Sequence, residues 1–405
     1  MSAPFRGGEL HCPEPEEPHA RSRDCRWSTH PFGRGTKGLL KDTRPDTLGA
    51  HAVAKTLEKV PQVKGAEIED VVMGCAIPEA EQGLNIARQV GFLAGLPAEV
   101  PAMTINRFCS SGLQAINIVA SRIATGEIDI AIAGGVESMS MVPMTGGKVA
   151  VHPKLAAEYP QAFTPMGITA EIVAKRFNVS RKDQDEFATL SHARAAAAWK
   201  AGRFEGEVAP ITTFVTEGGQ SREVTVSQDE LVRADTTVEK LAALKPAFDP
   251  TGSVTAGNAS PITDGAAAVL VMAREVAEKR GLKPLGYLRF FACVGVDPDV
   301  MGIGPVPAVR KLLQKTGKSI HEIDLFEINE AFAAQAVYCA RALEIPSEKL
   351  NVNGGAIALG HPLGATGARQ AIHILAELAR RGKRWGISGM CVGGGMGAAA
   401  LWERA

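Results

Sequence analysis

Three short segments of this chain recur about 250 residues later, in the same order. Ile68-Glu69-Asp70-Val71-Val72-Met73-Gly74 resembles Ile323-Asp324-Leu325-Phe326-Glu327-Ile328-Asn329. Ala102-Met103-Thr104-Ile105-Asn106 precedes a glycine turn and an Ala-rich helix, and Leu350-Asn351-Val352-Asn353 does the same before a helix from about Thr366. Ile130-Ala131-Ile132-Ala133-Gly134-Gly135 is echoed by Trp385-Gly386-Ile387-Ser388-Gly389-Met390. One supersecondary layout is therefore used twice. Short apolar strands alternating with helices predict a largely parallel, covered sheet in each half. With 43 glycines and 5% aromatics, small residues let these layers approach closely.

The middle of the chain differs. Gly146-Gly147, Pro153, Pro160 and Pro165 break it up, a helix is expected over Arg181–Ala201 behind Ser180 as N-cap, and a polar strand pair follows around 208–227. The expected organisation is an N-terminal half over 31–139 plus 263–284, an inserted loop domain over 140–262 covering an active site, and a C-terminal half over 285–405. Residues 1–30 carry four prolines, scattered charge and no apolar alternation, and are expected to form a poorly ordered leader. Regular structure is expected from about Asp46, with a helix over Thr47–Leu57.

Forty-four Lys+Arg balance 44 Asp+Glu, which argues against nucleic acid or a membrane surface as partner. No apolar run reaches the ~18 residues of a membrane span, and no signal-peptide core follows the N-terminus. The seven cysteines are odd in number and widely spaced, which suits reduced thiols in a cytoplasmic compartment. His11, Cys12, His19, Cys25 and His30 crowd the N-terminus, yet their spacings fit no standard zinc module, so no metal is expected.

Four places could carry chemistry. Cys109 follows Ile105-Asn106-Arg107-Phe108, and Leu113, Ile116, Val119, Ala120 and Ile123 then recur at helical spacing. The cysteine sits at a strand-to-helix turn, where free N–H groups and the helix dipole favour a thiolate nucleophile; the competing reading is a buried, inert thiol. His361 lies in the glycine-dense run from Gly354 to Gly367, where backbone can approach a ligand closely, as a base or oxyanion donor. Cys391 precedes Gly393-Gly394-Gly395-Met396-Gly397; that strip superficially suggests a dinucleotide loop but lacks a βαβ context, so a second thiol serving a shared pocket fits better. Asn329 and Glu330, at a strand end, could fix a water or orient a histidine, or Asn329 could cap a helix.

Together these segments resemble the thiolase family, from about Pro31 to the C-terminus. The resemblance rests on Asn106-Arg107-Phe108-Cys109-Ser110-Ser111-Gly112, Gly134-Gly135-Val136-Glu137-Ser138-Met139, Asn329-Glu330-Ala331-Phe332, Gly360-His361-Pro362 and Cys391-Val392-Gly393. It implies an α/β fold, the duplicated αβαβα layered arrangement of two similar halves with an inserted loop domain. It also implies an acyltransferase with Cys109 as acylated nucleophile, His361 as the base that takes its proton, and Cys391 as general acid/base. Asn329, through a water, and His361 would form one oxyanion hole, and the backbone N–H groups of Cys109 and Gly393 the other. Arg233 and Ser260 would touch coenzyme A, while Met166, Phe248, Ala331 and Phe332 would line the pantetheine tunnel. No permanently bound cofactor is implied; coenzyme A is a co-substrate.

Pro165-Met166-Gly167, Ser191-His192-Ala193-Arg194 and Val142-Pro143-Met144 look like the degradative 3-ketoacyl-CoA thiolases of fatty-acid β-oxidation; the alternative is an acetyl-CoA acetyltransferase acting on acetoacetyl-CoA. A decarboxylating condensing enzyme would have a histidine or asparagine where Cys391 stands, and a non-catalytic CoA-ester or lipid carrier would not need every motif residue. Thiolase subunits form homodimers or homotetramers and can join a hydratase/dehydrogenase partner, so such assembly is implied here. One stretch departs from the family, which begins with an apolar strand ending in Val-Arg-Thr-Pro-x-Gly-Arg. Here only Pro31, Gly33 and Arg34 survive, after the polar Arg21-Ser22-Arg23-Asp24-Cys25-Arg26. Such polarity is costly inside a sheet, and a shifted reading frame before Pro31 would account for it.

Overall fold

The computed structural model describes residues 23–405. Two sheets carry the fold. The first contains β1 (Arg23–Thr29), β2 (Gly33–Arg34), β3 (Asp70–Gly74), β4 (Ala102–Ile105), β5 (Ile130–Ser138) and β8 (Thr263–Ala273), in the order β1-β8-β5-β3-β4 with β2 also on β8. The second contains β9 (Gly286–Gly295), β10 (Leu325–Ile328), β11 (Trp385–Val392) and β12 (Met396–Arg404), in the order β10-β11-β12-β9. Between them in sequence, β6 (Ile211–Glu217) and β7 (Gln220–Val226) form a separate hairpin.

The internal echo is a structural repeat. β3 and β10 each pair in parallel with the strand that follows a helix, β5 and β11. β5 and β11 each pair antiparallel with β8 and β12, which in turn pair antiparallel with the edge strands β1 and β9. The echo of β4 shrinks to a single parallel bridge, Phe326 to Leu350. The sheets are therefore mixed rather than largely parallel. β12 follows β11 by a tight turn at Gly394 (φ +77°) and Gly395 (φ +83°), and a two-strand turn can only return antiparallel. The glycine strip is this hairpin and no dinucleotide loop.

Residues Arg23–Thr29, expected within the leader, form β1 and pair with β8 from Arg23↔Ala273 to Thr29↔Ala267. A ladder uses backbone N–H and C=O groups, and an edge strand needs one neighbour only, so a polar sequence can hold this place. Regular structure thus begins ahead of the expected Asp46. His11, Cys12 and His19 lie outside the described residues.

Helices complete five layers. α1 (Pro45–Glu58) covers the outer face of the first sheet, and α4 (Pro305–Thr316) the outer face of the second. α2 (Ser111–Ala124) and α6 (Leu363–Arg381) lie back to back between the sheets. The shared core joins Leu113, Ile116 and Ile123 of α2 with Ile372, Leu375 and Leu378 of α6, Val269 of β8 and Trp402 of β12. Each fully buried Leu or Ile there contributes ~1.5–3 kcal/mol of transfer free energy. α3 (Arg181–Lys200) starts at Ser180, whose Oγ accepts the N–H of Asp183 at 3.1 Å. A short α5 (Ala356–Leu359) precedes α6.

Candidate active site

The loops after β4 and α5 bring Cys109 and His361 to one place. Cys109 occupies the tight turn Phe108–Ser110 just ahead of α2. Phe108 sits at φ +41°, a left-handed conformation unusual for an aromatic residue, and its surroundings enforce it. Phe108 N–H donates to Asn106 Oδ1 at 2.7 Å, Ser111 Oγ donates to Phe108 O at 2.7 Å, and Asn106 Nδ2 donates to Ala76 O at 2.8 Å. Cys109 is held at a fixed angle, 2% exposed.

Burial is stronger here than the helix end. It pushes the Cys109 thiol up to about 12, against the backbone N–H groups of Gly393 and Cys109 that pull it down. The resting group is a thiol, and the thiolate expected at this turn forms only when a base takes the proton.

His361 lines the same cavity as Cys109. It lies between α5 and α6, where Gly360 adopts φ +99° and a Cβ would strike Thr263 and Leu231. Thr366 Oγ1 donates to Pro362 O at 2.8 Å, so at 2.7 Å it can only accept from His361 Nδ1–H. Nε2 therefore carries a lone pair and accepts Asn329 Nδ2–H at 3.2 Å. Burial lowers the imidazole to about 4, so the ring is neutral at pH 7. Cys391, near the end of β11, is fully buried; burial first, then charge on Cys109 and Cys339, holds its thiol well above the usual range. It rests as a protonated thiol.

Cys109 and His361 line a cavity of about 300 Å³ with Met139, Met144, Met166, Phe248, Ser260, Ala331 and Phe332 among its walls. A second cavity of about 350 Å³ shares Phe248, Ser260, Pro261 and Ile262 and carries Arg34 and Arg233. All six residues expected to bind substrate thus face one of two adjoining spaces. Arg233 lies 3.1 Å from His192 Nε2, and the Phe248 and Phe332 rings meet edge-on at 5.9 Å. Asn329, Cys391 and Gly393 do not line either space; Asn329 reaches it through His361, and Gly393 through Cys109. Among the described residues no group of three or more His, Cys, Asp or Glu is disposed to hold a metal.

Thr366, Glu137 and Arg34 were assigned no role from the sequence. Thr366 lies inside the glycine-dense run around His361, five residues on, and a hydroxyl among glycines was the available signal. Glu137 has no local signal, because its partners are Ala76, Ile77, Gln82 and Gly364.

Comparison with known proteins agrees with this architecture. Residues 27–275 match the family model "Thiolase, N-terminal domain" and residues 282–404 match "Thiolase, C-terminal domain". A 3-ketoacyl-CoA thiolase of Bacillus subtilis is 51% identical over 378 residues, covering 92% of this chain and 96% of its own. The peroxisomal 3-ketoacyl-CoA thiolase A of Mus musculus is 50% identical over 376 residues, covering 92% of this chain and 88% of its own. The crystal structure of the Bacillus anthracis acetyl-CoA acetyltransferase superposes with a TM-score of 0.85 at 40% identity, over 95% of this chain and all of that one.

Proposed function

The chain belongs to the thiolase family, and on that premise we propose that it cleaves 3-ketoacyl-CoA with coenzyme A, giving acetyl-CoA and a shortened acyl-CoA, as in fatty-acid β-oxidation. Curated relatives about half identical over nine-tenths of the chain support this substrate class. The observation that carries the chemistry is the tautomer of His361, neutral and with Nε2 as the acceptor nitrogen, able to take a proton.

His361 Nε2 takes the Cys109 proton, and the thiolate adds to the C3 carbonyl. The oxygen on that carbon lies against the N–H groups of Cys109 and Gly393, which already point at the sulfur. The C2–C3 bond breaks, leaving the acyl group on Cys109. The enolate oxygen is stabilised by His361 and, through a water, by Asn329, while Cys391 protonates C2. The Cys391 thiolate then takes the proton of coenzyme A, whose thiolate attacks the acyl-Cys109 carbonyl. Cys109 leaves and recovers its proton from His361, so no proton is lost over the cycle. Burial suits this sequence, because raised thiol pKa values make both cysteines donors until substrate arrives.

Arg233 and Ser260 are assigned to coenzyme A, and Met166, Phe248, Ala331 and Phe332 to its pantetheine arm, in line with the adjoining cavities. The segment 140–262 supplies Met144, Met166 and Phe248 and serves as the cover. The subunit is assigned to a homodimer or homotetramer, open to a hydratase/dehydrogenase partner. Cys75, Cys109, Cys293, Cys339 and Cys391 are free thiols, as suits a reducing, cytoplasmic compartment, and no described helix is long and apolar enough to cross a membrane.

A second reading, acetyl-CoA acetyltransferase, is favoured by the superposition on a protein of that name. A panel of 3-ketoacyl-CoA substrates of increasing length separates the two: turnover of the four-carbon substrate alone establishes the second. Intact-mass measurement after acetyl-CoA tests the chemistry itself. An acetyl adduct present in the wild type and absent from Cys109→Ser is expected; a wild type that takes no acetyl group refutes the mechanism.

A further inference from the structure

Behind His361, away from the substrate cavities, lies a small internal space of about 40 Å³. Its walls include Glu327, Asn329, Gln370, Arg369, His373 and Thr366. That is room for water and too little for a substrate. Two acceptors on its walls, Asn329 Oδ1 and Gln370 Oε1, are buried and have no hydrogen-bond partner in the protein. A buried carbonyl without a donor costs about 1–3 kcal/mol, so each calls for one. Arg369 gives two N–H groups to Asp229 at 2.7 and 2.6 Å, and His373 Nδ1 pairs with Glu207 at 3.0 Å. The Glu327 carboxyl lines the same space, and burial and neighbouring charges, not hydrogen bonds, set its environment. Glu327 stands two residues before Asn329, and both line this space.

We propose that Glu327 is a positioning residue for the catalytic base: as a neutral carboxylic acid it donates to one water in this space, and that water donates to Asn329 Oδ1 and Gln370 Oε1. The water then makes three hydrogen bonds, the usual number for a buried one. The consequence for catalysis lies in the amide of Asn329. With Oδ1 engaged by the water, Nδ2 must face His361, as it does. Turned over, the amide would press Oδ1 against the Nε2 lone pair, repel it, and favour the wrong tautomer. The neutral state of Glu327 has its own support. Burial, and secondarily Glu330, Glu377 and Glu207, raise it to about 8 against the pull of His373.

This assignment rests on the thiolytic reading of His361, and three measurements on the full-length enzyme test it. An atomic-resolution crystal structure is expected to show a water within hydrogen-bond distance of Glu327, Asn329 and Gln370; an empty space overturns the proposal. Nitrogen NMR of the labelled imidazoles is expected to show His361 as the single Nδ1–H tautomer in the wild type and a mixture in Glu327→Leu. Steady-state kinetics of that variant are expected to show kcat lowered about tenfold with KM unchanged, and Glu327→Gln, which keeps a donor, restores most of the loss. A leucine variant within about twofold of wild-type kcat overturns the positioning role. If the leucine variant does not fold, the crystal structure and the glutamine variant's His361 tautomer decide. Failure of Cys109 to acylate would remove the thiolytic reading while leaving the water and the tautomer to be judged by themselves.

Discussion

Glu137 Oε2 accepts the backbone N–H of Gly364 at 2.8 Å, joining two residues 227 apart in sequence. Glu137 closes β5 of the first sheet, and Gly364 lies in the first turn of α6, three residues after His361. The same carboxylate accepts Ala76 N–H at 2.8 Å, Ile77 N–H at 3.1 Å and Gln82 Nε2 at 2.9 Å. It is buried and pins the loop after β3 and the segment that carries His361 to one point. Burial raises its pKa, and its hydrogen bonds counter that rise. Glu137→Gln turns one acceptor into a donor facing backbone N–H groups. Chemical denaturation is expected to show a loss of about 2–4 kcal/mol.

Thr366 sets the tautomer of His361 through the hydroxyl it commits to Pro362 O. Thr366→Val keeps the shape and deletes the acceptor. The imidazole is then free to carry its proton on Nε2, the wrong nitrogen for a base facing Cys109. The expected result is a fall in kcat of about ten- to a hundredfold with little change in KM, read in a thiolysis assay.

His30 is expected to make this protein acid-sensitive. Its Nδ1–H donates to Pro31 O at 2.6 Å and its Nε2 accepts Ala266 N–H at 2.8 Å, so the buried ring is held neutral. Burial lowers it to about 3, aided by charge on His51 and Arg369. Between about pH 6.5 and 3 the unfolded chain therefore binds a proton here that the folded chain does not. The stability that His30 contributes is present above pH 6.5 and is lost as the pH falls through that window. Urea titrations of wild type and His30→Gln at pH 7.5 and 4.5 are expected to differ in their pH dependence by about 3 kcal/mol, the variant losing less.

Gly135 packs against the backbone of the other half with no room for a side chain. A Cβ there would stand 1.8 Å from Gly364 O, and Gly364 has backbone of Gly74 and Cys75 on its other side. Nothing flexible can yield. Gly135→Ala is expected to cost about 3–5 kcal/mol or to prevent folding, checked by soluble yield and thermal melting.

Much of the site was legible because its signals are local. A cysteine between a strand pattern and a helix pattern, a histidine among glycines and a thiol before a glycine turn are each written in a dozen neighbouring residues. The repeat was legible for the same reason, since each strand and helix announces itself by its own period. Less was legible at the N-terminus, where polar residues concealed β1: what makes Arg23–Thr29 a strand is the open edge of β8, about 240 residues away.

The order of elements, the repeat and the candidate nucleophile with its proposed partners were legible in the sequence alone, because periodicity and turn chemistry act between near neighbours. Only the tertiary structure decided that the sheets are mixed, that Cys109 rests as a thiol, that Thr366 selects the His361 tautomer and that Glu137 ties the halves together. Those outcomes depend on exclusion of water and on partners separated by up to hundreds of residues. Neither exists until the layers close.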